Sequence, residues 1–188
     1  PELLAVAEQV ARRKVIGIAA YKPPNSHPEN ERRVYDFVGM TGLPLVPCHD
    51  FPTDAKAAFF SIHALKDPQL AEQVSAFIAA GKPVLVTDGL AAALAGKVKL
   101  DAPNVRVLPV KGDPKSLLTL PQAELDAIRQ LLLQPLSRHF EAPNRVALYL
   151  FEDGGYVIEN FGDERVTVKL DGKPHELAPR EWTYHWKP

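Results

Sequence analysis

Apolar residues recur along the first three quarters of the chain in two alternating rhythms. The continuous runs KVIGIAAY (14–21), LPLVPC (43–48), AAFFSI (57–62), PVLVTD (83–88) and NVRVLPV (104–110) have the length of strands buried on both faces. Between them, apolar residues fall at helical spacing. Residues 2–13 place Leu3, Leu4, Ala7, Val10 and Ala11 in one stripe, ENERRVYDFVGM places Val34, Phe37 and Val38 on one face, and residues 121–136 turn Leu125, Ile128 and Leu132 inward. The segment 67–81 carries the fullest helix signature. Asp67 can cap it, Pro68 suits its first turn, Leu70, Val74, Phe77 and Ile78 share a face, and Gly81 can stop it.

Strands alternating with helices imply right-handed βαβ units, hence an α/β domain with a parallel sheet covered on both sides. From about residue 144 the period becomes two. RVALYLF, GYVIENF, RVTVKL and EWTYHW are separated by EDGG, GDE and DGKP, which are turn sequences. The expected organisation is an α/β domain over residues 1–140, the joint HFEAPN, and a small antiparallel β unit over 144–188. About 45 residues make a marginal core, so this unit is expected to pack on its neighbour.

Charge narrows the function classes. In 188 residues, 22 basic and 23 acidic side chains leave a formal charge of −1, so no summed field draws the chain to nucleic acid or an anionic membrane. No apolar run approaches the roughly 20 residues that span a bilayer, and the N-terminus lacks a signal-peptide pattern. The chain opens at Pro1 directly before a helix-like segment, which reads as a piece cut from a longer chain. Cys48 is the only cysteine, so an intrachain disulfide and a cysteine-rich zinc site are excluded.

In an open parallel sheet, ligands bind beyond the carboxyl ends of the strands. The first strand is followed by Tyr21, Lys22, Asn25, Ser26 and His27, the second by Cys48, His49 and Asp50, the third by Ser61 and His63, and the fourth by Thr87 and Asp88. The candidate ligand-binding set is Lys22, Asn25, His49, Asp50, His63 and Asp88. Cys48 could serve as a nucleophile only beside a histidine from another loop, His27 or His63; its commoner use is as a small buried apolar residue. His27, His49, His63 and Asp50 lack the spacing of a zinc motif, so neither a metal nor a cofactor is expected. Asp88 reads either as an exposed carboxylate for catalysis or sugar binding, or as a helix cap with Thr87, Gly89 allowing the bend. Tyr149, Tyr156, Trp182, Tyr184 and Trp186 offer either a sugar-stacking face or the core of the small β unit.

VIGIAAY with NERRVYDFVGMTGLPLVP, AFFSIHALKDPQLAEQVSAFIAAGKPVLVTDGLAAAL and PNRVALYLFEDGGYVIENFGDERVTVKLDG resemble the C-terminal part of glycoside-hydrolase-like bacterial proteins. There a class I glutamine-amidotransferase-like domain, akin to the trimerisation domain of certain β-galactosidases, precedes a small β domain. The resemblance implies a flavodoxin-like sheet with helices on both faces. In catalytic members the turn after the fourth strand holds a cysteine nucleophile; here it reads VTDGL, and no histidine lies near RVLPVKGDP. The resemblance therefore implies a noncatalytic accessory or oligomerisation module. Its partners would be a preceding catalytic domain or a sister subunit, with carbohydrate as the candidate ligand. The alternative is a small-molecule or sugar-binding hydrolase site at the strand ends, which for glycoside cleavage needs a carboxylate pair such as Asp50 and Asp88.

Overall fold

The run 14–21, expected as one strand, is two. In the computed structural model, which describes residues 2–187 and side chains from Leu4 onward, helix α1 (Glu2–Ala11) leads into β1 (Val15–Ile16) and then β2 (Ile18–Tyr21). Gly17 divides the strands. A Cβ there would lie 2.0 Å from the Pro44 carbonyl oxygen, which accepts the Ile18 amide at 2.8 Å, so the position requires a missing side chain. The apolar stripe of α1 also differs from expectation. Val6 is its buried residue and Leu4 is exposed, while Leu3 lies outside the described side chains.

The parallel sheet is built from β2, β3 (Leu45–Cys48), β4 (Ala58–Phe60), β5 (Val84–Thr87) and β6 (Val105–Leu108), in the order β3-β2-β4-β5-β6. Numbered by chain order this is 2-1-3-4-5, the flavodoxin-like arrangement. Helix α2 (Val34–Gly39) packs Val34, Phe37 and Val38 with Ile18, Ala20, Phe59 and Leu85. Helices α3 (Leu70–Ala79) and α4 (Asp88–Ala93) pack Val74, Phe77 and Leu90 with Ala58, Phe60, Val84 and Val86 on the other face. The period-two alternation of side chains across each strand divides these two cores. Helix α5 (Gln122–Leu133) joins the α2 side through Ile128, Leu132 and Leu133.

The C-terminal segment forms antiparallel strands in two sheets. They are β7 (Phe140–Glu141), β8 (Val146–Phe151), β9 (Tyr156–Asn160), β10 (Val166–Leu170), β11 (Lys173–Leu177) and β12 (Trp182–His185). One sheet has the order β1-β8-β9-β12 and the other β11-β10-β7. Strand β11, sequence KPHEL, carries no alternating apolar signal. It is an outer strand held by a two-residue turn in which Asp171 and Gly172 both take positive φ, 52° and 82°, the geometry that matches strand twist.

β1 belongs to the N-terminal segment yet pairs with β8, and Leu148, Leu150, Ile158, Val168 and Leu177 share one core with α2 and α5. Arg129 fastens the same seam from within. It is 1% exposed and donates to the carbonyls of Thr41, Ala142 and Pro143, with its guanidinium 5.4 Å from the Phe140 ring. Burial pushes its pKa down to about 10, with Asp126 opposing. Among the described residues, no helix is long and apolar enough to cross a membrane.

Candidate functional site

The turn after β5 is held by backbone amides. Thr87 Oγ1 accepts the Leu90 amide at 3.3 Å and caps α4. Asp88 Oδ1 accepts its neighbour Gly89's amide at 2.9 Å, while Oδ2 accepts the Lys111 amide at 2.9 Å from beyond β6. Asp88 therefore ties two strand ends together. Gly89 is needed for a reason different from the expected bend: a Cβ would lie 2.6 Å from Glu31 Oε1. Asp67 differs too. α3 begins at Leu70 without a side-chain cap, and Asp67 instead accepts the Gln69 amide and the Tyr21 hydroxyl, each at 2.9 Å.

Glu31 is the residue that sequence reading missed. It lies in the polar loop after β2, where flanking Glu29, Asn30 and Arg32 give no periodic signal, yet it is 1% exposed. Its Oε2 accepts the Ile62 amide at 3.0 Å just beyond β4, while Oε1 has no hydrogen-bond partner and faces Gly89. One carboxyl from the loop after β2 thus reaches the ends of two other strands, β4 and β5. Burial raises its pKa above the ordinary carboxyl range, with the Ile62 amide and the nearby Thr87 hydroxyl opposing.

A second group lies beyond the carboxyl ends of β2 and β4. Ser26 Oγ lies 2.9 Å from His63 Nδ1, and the Tyr35 ring stands 5.6 Å from the imidazole. Tyr35 is fixed by donating to the Tyr21 carbonyl at 2.8 Å and by Ser61 Oγ at 3.1 Å; burial pushes its pKa up to about 12. His63 is buried, and its pKa is lowered by that burial first, then by Lys22 and His27. The Lys22 ammonium lies 6.0 Å from the Tyr35 ring centroid. Tyr35 was the other omission, since its place on α2 read only as part of a helix.

The remaining candidates are spread along the edge. Asn25 is exposed in a left-handed turn, φ 55°, just before Ser26. His49 is exposed, its Nδ1 3.0 Å from the Lys22 carbonyl, and Asp50 is exposed as well. Cys48 is half-buried, and burial together with Asp50 pushes its thiol pKa up, which favours the unreactive protonated form. His27 faces Glu29 at 3.4 Å. Among the described residues no three His, Cys, Asp or Glu side chains group as a metal site would require.

The C-terminal aromatics divide between the two expected uses. Tyr156 lies in the core, and Trp186 is packed between the Tyr184 ring, the Phe151 edge and the Arg13 guanidinium. Tyr149 and Tyr184 remain exposed, in one cross-strand row through Val157 on the face of the sheet away from Tyr156.

No family model, curated protein or solved structure matches the chain.

Proposed function

We propose that this chain is an accessory module of a larger carbohydrate-active protein, its amidotransferase-type turn retained for architecture and its catalysis there lost. One observation carries the reading: both Asp88 carboxylate oxygens are engaged by backbone amides, of Gly89 and Lys111, where a nucleophile would have to stand free. The flavodoxin-like strand order and the resemblance of the sequence motifs to those of amidotransferase-like domains support it.

Sedimentation over a concentration range, with and without simple sugars, tests the proposal. Reversible self-association that is unchanged in Asp88→Ala is the expected result. Turnover of glutamine that disappears in Asp88→Ala would overturn it.

A further inference from the structure

The parallel sheet changes its direction of winding between β2 and β4, since α2 follows β2 on one face and α3 follows β4 on the other. In open α/β sheets ligands bind beyond the strand ends at such a point of reversal. Ser26 comes from the segment after β2 and His63 from the segment after β4. Their side chains meet at 2.9 Å, Ser26 half-buried and His63 6% exposed behind it. We propose that Ser26 and His63 are a nucleophile and general base that cleave small carboxylic esters by acyl transfer. This inference does not rest on the accessory reading, because Asp88 takes no part in it.

Three features favour chemistry over a chance contact. The turn Pro23–Ser26, closed by the Ser26 amide on the Pro23 carbonyl at 3.3 Å with Asn25 left-handed, presents the serine at the end of a short bend. The imidazole packs beside the ring of Tyr35, itself anchored to the ends of β2 and β4 through the Tyr21 carbonyl and Ser61. Burial first, then Lys22 and His27, lower the His63 pKa against the opposing Ser26 backbone, which favours the neutral form a base requires.

The reaction balances with ester and water alone. Ser26 Oγ bonds to the acyl carbon as its proton passes to His63 Nδ1, in the tautomer protonated at Nε2. The acyl–oxygen bond of the ester then breaks, and the leaving alkoxide takes that proton. Water adds to the acyl-serine, giving its proton to His63, and the acid departs as Ser26 Oγ recovers the proton. The net change is ester plus water to acid plus alcohol.

A fluorophosphonate tests the pair directly, because the serine oxygen displaces fluoride and the adduct is stable to mass spectrometry. One adduct per chain on the peptide containing Ser26 is expected, with none in Ser26→Ala and a labelling rate at least about 100-fold lower in His63→Gln. p-Nitrophenyl acetate hydrolysis should fall in the same variants. No adduct, an adduct elsewhere, or equal labelling in a folded His63→Gln overturns the proposal. If circular dichroism shows that His63→Gln does not fold, the unaltered chain decides. Labelling that rises with pH to a plateau, with a midpoint below 6.5, supports it, and a rise proportional to hydroxide overturns it.

Discussion

Glu31 Oε1 lies 2.6 Å from the point where a side chain on Gly89 would begin. The loop after β2 therefore fits under the first turn of α4 only while residue 89 lacks a Cβ. Gly89→Ala should destabilise the fold by about 1–3 kcal/mol, since a buried carboxyl must move. Gly17→Ala should cost more, because the atom in the way is the Pro44 backbone carbonyl, which holds the Ile18 amide. Urea midpoints of the two variants check the ranking.

Two buried titratable groups, Glu31 and His63, give opposite pH dependences. Glu31 has a folded pKa above the usual carboxyl value, so the native state holds its proton more tightly, and this contribution to stability is lost as pH rises above about 4.5. His63 has a folded pKa below 6.5, so its contribution is present above that value and is lost as pH falls through the folded pKa. Glu31→Gln should remove the first slope and leave stability rising towards pH 6.5. Denaturation midpoints from pH 4.5 to 8 separate the two groups; an unchanged slope in Glu31→Gln would show that Glu31 is ionised in the native state.

Asp88→Ala leaves the amides of Gly89 and Lys111 without their acceptor. A loss of about 1–2 kcal/mol is expected, with sedimentation and ester cleavage unaffected. Thermal melts set beside both assays check this.

Arg129→Met keeps much of the stem volume but strips donors from three carbonyls along the seam, those of Thr41, Ala142 and Pro143. The expected cost is at least about 3 kcal/mol. Because the α2–α5 side and the β strands share one core, unfolding should be a single transition that moves as a whole. Fluorescence and circular dichroism should give coincident curves.

Most of the elements were legible in the amino-acid sequence because burial writes a period into it. Val84–Thr87 and Ala58–Phe60 are continuous apolar runs since both their faces are covered, and Leu70, Val74 and Phe77 keep helical spacing since α3 has one inward face. β11 was invisible because its outer position demands little burial, and the break at Gly17 because it depends on Pro44, a residue distant in the chain. The strand-end candidates were legible as residue types but not as partners.

Sequence alone determined the alternation of the parallel strands with their helices, the turn residues between the C-terminal strands, and the absence of a thiol at the turn after β5. Each follows from local periodicity or from the residue present. Tertiary structure decided which side chains meet: Ser26 with His63, Glu31 under Gly89, Asp88 on Lys111 and Arg129 across the seam. The first three contacts join residues 23 to 58 positions apart, which the parallel strands bring to one edge, and Arg129 reaches Thr41 from 88 positions away across the seam. No local pattern records such a pairing, because the free energy that selects it comes from burying both partners at once.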